Sequence, residues 1–150
     1  MIQHIWSIVC KESRVDETTN SISIIDAYEN LQISLNTEPD YKEGSPVGVP
    51  LNFELVSLFY RDKKAGEESI EEFVRVIDPK GLELGGLSSK VVFKDSFDRM
   101  RNIFKFQSIA LTTSGTYLFQ LYSQKTKKGK KQLISVIPVS IRVTINSKIS

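Results

Sequence analysis

Histidine and cysteine each occur once in the chain, as His4 and Cys10. That scarcity excludes a good deal of chemistry. A zinc site of soft ligands needs several Cys or His residues, and two cannot close one without carboxylates. A single cysteine makes no internal disulfide, which a secreted sandwich domain would often use to brace its sheets. Any Ser/His/Asp or Cys/His arrangement must take His4 as its base. On one straight strand His4 and Cys10 would share a face about 20 Å apart, too far to act together, so both are expected to be structural. Neither charge dominates, with 20 basic and 18 acidic residues. No run approaches the roughly 18 apolar residues that cross a bilayer as a helix. The opening MIQHIWSIVC carries His4, reaches Lys11 and lacks a small-residue cleavage site, so it reads as a first strand and not as a signal peptide. A cytoplasmic protein with no membrane contact is the expectation.

What is present is strand after strand. The 150 residues are 40% hydrophobic and 25% charged, which suits one domain, 1–150, with a sizeable core. His4 to Lys11 and Ser21 to Ala27 are expected to pair as a hairpin around the polar segment from Arg14 to Asn20. Thr37 to Pro50, rich in Pro and Gly, reads as a long surface loop. Leu51 to Tyr60 is apolar on both faces, as a central strand is. The charged stretch from Arg61 to Glu68 interrupts the pattern, which Phe73, Val74, Val76 and Ile77 resume. Asp78-Pro79-Lys80-Gly81 is a turn, because Asp bonds the turn backbone, Pro presets φ and Gly accepts a positive φ. Leu82 to Leu84 lead away from it.

Lys94 to Asn102 lacks alternation and predicts one helical turn crossing between sheets. Strands resume at Ile103, with Phe104, Phe106 and Ala110 on one face and Ile103, Ile109 and Leu111 on the other. Val139, Ile141, Val143 and Ile145 alternate with polar residues, and Pro138 before them predicts an edge or a bulge. Between these strands, IALTTSGTYLFQLY sets Ile109, Thr113, Gly115, Tyr117 and Phe119 at the spacing of a turn that enters a central strand. The Tyr117 hydroxyl is expected to tie back to backbone near Ile109 to Thr113, with its ring buried.

Seven to eight short strands, turn signals between them and no long helix predict an all-β antiparallel sandwich. The corner residues and the DPKG turn resemble the immunoglobulin-like superfamily, with Phe119 where the second cysteine of antibody domains would stand. IWSIVCKES, SISIIDAY, PLNFELVSLFY, VRVIDPKG and SGTYLFQLY together also resemble an uncharacterised family of small bacterial single-domain sandwich proteins. Both resemblances imply a fold and bring no catalytic residue.

Candidate sites are few. Asp78, Asp95 and Asp98 could line a calcium loop, but no D-x-D-x-D-G run accompanies them and turn duty explains them better. Glu67, Glu68, Glu71 and Glu72 read as a solvated face at a strand start rather than as general acid and base. Lys125, Lys127, Lys128, Lys130 and Lys131 are the one concentrated charge. Removing these five turns 20 basic against 18 acidic residues into 15 against 18, a net charge of −3. They are placed at a hairpin tip around Gly129, where lysines discourage edge pairing and offer the chain's possible contact for an anion or a partner.

The expectation for function is a non-catalytic protein-interaction or accessory domain with no cofactor and no small-molecule substrate. A nucleic-acid module using Lys125–Lys131 is the alternative, weakened by the lack of interleaved aromatics; an enzyme with no legible site is the other. The first strand carries more apolar surface than one core-facing side needs, since His4, Trp6, Ile8 and Cys10 alternate with Ile5 and Val9. Self-association through that hairpin or an exposed strand edge is therefore also expected.

Overall fold

A computed structural model describes residues 1–36, 44–62 and 66–146. Among them every regular element is a strand: β1 (Ile2–Val15), β2 (Ile22–Ala27), β3 (Asn30–Asn36), β4 (Val47–Arg61), β5 (Glu68–Ile77), β6 (Glu83–Phe93), β7 (Arg99–Leu111), β8 (Gly115–Gln124) and β9 (Gln132–Asn146). They form a β-sandwich of two sheets, in the orders β2-β1-β4-β7 and β3-β9-β8-β5-β6. Neighbours run antiparallel except β3 and β9, which are parallel.

Nine strands stand where seven to eight were expected, because β3 and β6 carry weak signals. β6 opens with ELGGLSS, where glycine and serine hide the alternation. Its pairing requires one of those glycines: a Cβ on Gly86 would lie 2.4 Å from the Val74 carbonyl oxygen of β5. Two boundaries also move. The last residues of the expected Thr37–Pro50 loop, Val47 to Pro50, are strand and pair with Leu111 to Ser108, with a register shift between Pro50 and Phe53 that accommodates the proline. Residues 37–43 lie outside the described residues. Lys94 to Asn102 does carry the chain from one sheet to the other, but through a turn without a helix, and β7 begins at Arg99. Pro138 fits its expected edge: β3 borders only Ser140–Asn146 of β9, so the front half has β8 alone as a neighbour.

The expected β1–β2 hairpin is present, with a bulge that changes its faces. Register shifts between His4 and Trp6, which turns His4, Ser7 and Val9 inward and Trp6, Ile8 and Cys10 outward. His4 and Cys10 therefore occupy opposite faces, not one, because the extra residue breaks the two-residue period. Part of this outward face is covered by the chain itself, while Trp6 and Ile8 stay partly exposed. β1 leaves β4 after Cys10 and the hairpin folds back over the sheet: Ser13 donates its backbone N–H to Glu54 Oε1 at 3.0 Å, and Arg101 of β7 donates to the Asn20 carbonyl. Cys10 and Val56 beneath it are fully buried.

The corner joins the two most conspicuous turns. Tyr117 is fully buried; its hydroxyl donates to the Thr113 carbonyl at 2.6 Å and accepts the Thr112 N–H at 2.9 Å. The Thr112 hydroxyl donates to Asp78 Oδ2 at 2.7 Å, while Asp78 Oδ1 accepts the backbone N–H of Lys80 and Leu82 at 3.0 and 2.6 Å. Burial would raise the Asp78 pKa, but these donors together hold it below its ordinary value. Gly115, at φ 148°, closes the contact, since a Cβ there would lie 2.7 Å from the Pro79 ring. Tyr117→Phe is expected to lower stability by about 1 to 3 kcal/mol, read as a fall in the urea midpoint at unchanged m-value.

The inner faces form two apolar clusters. Val9, Leu55, Val74, Phe104, Tyr117 and Phe119 belong to the larger, and Phe59, Ile70, Val91 and Phe93 to the smaller. What lies between them is polar.

Candidate functional site

Five strands each present one polar residue at the level between the clusters. Ser7 of β1 registers with Ser57 of β4, and Ser57 with Asn102 of β7; in the facing sheet Glu72 of β5 registers with Ser89 of β6. On β4 the order Leu55-Ser57-Phe59, and on β5 Val74-Glu72-Ile70, show the belt as one residue deep. Glu72 and Ser57 are fully buried. Glu72 Oε2 accepts from the Ser57 hydroxyl at 2.7 Å and Oε1 from the Asn102 amide at 2.6 Å. Ser7 and Ser57 hydroxyls lie 2.7 Å apart, His4 Nε2 lies 2.6 Å from Ser7 Oγ, and Ser89 donates to Asn102 Oδ1 at 3.2 Å.

Because Ser57 gives its proton to Glu72, it accepts from Ser7, and Ser7 accepts from His4 Nε2–H. Donors run toward Glu72 from both ends. Burial raises the Glu72 pKa, against the lowering effect of Ser57 and Asn102. Burial likewise lowers that of His4, against a backbone contact at Trp6. Glu72 thus departs from the solvated face expected of it: the two-residue period of β5 turns it inward with Val74 and Val76, while Glu71 points out.

This arrangement is not a nucleophilic triad. His4 donates to Ser7 where a base would accept, and the carboxylate reaches Ser7 through Ser57 instead of orienting the imidazole. It satisfies a buried charge, and no buried side-chain polar atom among the described residues lacks a partner. No group of three His, Cys, Asp or Glu residues among them could hold a metal ion.

Cys10 offers no nucleophile in this setting. Burial, with Glu54 and Glu12 nearby, pushes its thiol up to about 11, and thiolate is the reactive form. Ellman's reagent at about pH 8 is expected to find no thiol in the folded protein and one per chain after unfolding; rapid labelling of the native chain would contradict this.

The lysine cluster occupies the tip joining β8 to β9, and all five lysines are exposed. The tip is shaped by its own bonds: Gly129 N–H donates to the Thr126 carbonyl at 3.0 Å, and Gln124 Nε2 donates to the Gly129 carbonyl at 2.6 Å. Lys131 leaves the group, its Nζ resting 4.0 Å from the Phe73 ring centroid. Lys125 and Lys127 instead line a groove of about 440 Å³ whose walls include Glu71, Phe73 and Lys90. Lys90 escaped the sequence reading because β6 did; only strand pairing sets it beside Glu71.

A second feature of the same sheet is a row across its outer face. Phe73 registers with Tyr122, and Tyr122 with Leu133. Leu133 is 51% exposed and Val136 41%. Arg75 lies over Tyr122, 5.6 Å from the ring centroid, as Lys131 lies over Phe73.

No protein-family model matches the chain, and no curated protein does. Among solved structures it is similar to the C-terminal domain of Wzt, with a TM-score of 0.47 and 11% identity over 95% of this chain and 73% of that one. It is also similar to the N-terminal domain of PorA, with a TM-score of 0.31 and 9% identity over 92% of this chain and 97% of that one.

Proposed function

We propose that the chain is a non-catalytic protein-interaction domain. The observation that carries the reading is the outward row Phe73, Tyr122 and Leu133, flanked by Val136 and crossed by Arg75 and Lys131. Aromatic residues and arginine on a well-ordered sheet face are the groups that concentrate binding energy at protein interfaces. The polar groups that could do chemistry are instead turned inward and occupied with one another. A nucleic-acid role is less well supported, since the rings of Phe73 and Tyr122 are already covered by cations and base stacking needs a bare face.

A photo-crosslinking residue at position 133, in cells that naturally make the chain, is expected to give a discrete protein adduct. The same residue at Asn52, exposed on the other sheet, is expected to give none. Adducts with nucleic acid alone, or equal labelling from both positions, would reject the reading.

A further inference from the structure

Resting on that reading, we infer that the partner inserts a carboxylate-rich, extended segment into the groove between the lysine tip and the β5–β6 pair. The groove lies on the same sheet as the row of Phe73 and Tyr122, and Phe73 belongs to both. Charge decides the occupant. Lys90, Lys125 and Lys127 line the groove against the single carboxylate of Glu71, and Lys131 adds a further ammonium at Phe73. Like charges gathered this way repel, and an anionic segment relieves that repulsion while gaining complementary contacts.

The tip is held in position for this. The Gln124 and Thr126 bonds fix the backbone that carries Lys125 and Lys127, so less ordering remains to be done on binding. Half-buried Phe73 gives the groove one apolar wall between the ammonium groups, which suits an extended chain whose side chains alternate acidic and aliphatic. Polynucleotides fit less well, for the covered rings and because the chain as a whole carries only +2, too little for a long-range field.

Fluorescence anisotropy separates the possibilities, using the full chain and three labelled probes: an alternating Glu-Val peptide, its Gln-Val counterpart, and a mixed-sequence single-stranded oligonucleotide. The Glu-Val peptide is expected to bind in low salt and weaken as salt rises, with the Gln-Val peptide at least about tenfold weaker. K90E combined with K127E is expected to abolish Glu-Val binding while leaving the melting temperature within a few degrees. No binding of the Glu-Val peptide, equal binding of the Gln-Val peptide, or tighter binding of the oligonucleotide would overturn the inference. A crosslink at position 133 that survives K90E/K127E would overturn it too and leave the interaction reading standing; loss of that crosslink in the unmodified chain would remove the reading itself.

Discussion

Arg61→Ala is expected to destabilise the protein by about 3 to 5 kcal/mol, from the three carbonyls left without a donor and the cavity left by the side chain. Arg61 ends β4 with a side chain that is fully buried. Its Nε donates to the Phe97 carbonyl at 2.9 Å, and its terminal nitrogens to the carbonyls of Gly66 and Lys94 at 2.7 and 2.8 Å. The guanidinium also stacks on Phe93, 5.3 Å from the ring centroid, and pairs with Glu68 at 3.7 Å. One planar fork thus ties the turn between β6 and β7 to the approach to β5, replacing the hydrogen bonds that a regular element would have given those carbonyls. Arg61→Lys keeps the charge but cannot reach three carbonyls in one plane, so it should recover little of the loss. Urea denaturation of both variants checks this, and a midpoint for Arg61→Ala within error of the parent would refute the role assigned here.

The same residue shows where a one-dimensional reading stops. Arg61 opens a charged stretch, and charge is ordinarily a sign of solvent; nothing local tells that the Gly66 carbonyl will be joined around it by two carbonyls from the distant turn between β6 and β7. Tyr117 was legible because every group its hydroxyl meets lies within five positions along the chain. Alternation likewise exposed β8, whose inward residues Tyr117, Phe119 and Leu121 are large and apolar, and an apolar run on both faces exposed β4. Glu72 was misread for the reason that Arg61 was overlooked: its partners come from β4 and β7 and are brought to it only by the facing of two sheets. β6 was hidden by Gly85 and Gly86, and with it Lys90, so the groove at the lysine tip was half visible. The five tip lysines could be placed from spacing around Gly129, whereas their neighbour across the sheet could not.

Asn102→Leu is expected to cost about 3 to 4 kcal/mol near pH 8, because it removes the donor to Glu72 Oε1 and leaves a buried carboxylate oxygen beside an apolar side chain. The loss should depend on pH in a defined direction. Glu72 is held above its ordinary value of 4.5 by burial, so the folded state binds its proton more readily than the unfolded state. That term weakens the fold as pH rises from about 4.5 through the folded pKa, and relieves it on acidification. His4 works oppositely: its folded pKa lies below 6.5, so its term is lost as pH falls from about 6.5. Removing the Asn102 amide, which favours the ionised carboxylate, raises the Glu72 pKa further and steepens the first slope. Asn102→Leu should therefore lose much less at about pH 5 than at about pH 8 relative to the parent. Glu72→Gln, which can still accept from Asn102 and donate toward Ser57, should lose the Glu72 slope and retain that of His4. Equal losses for Asn102→Leu at the two pH values, or a parental slope in Glu72→Gln, would show that Glu72 is not the titrating centre of the belt.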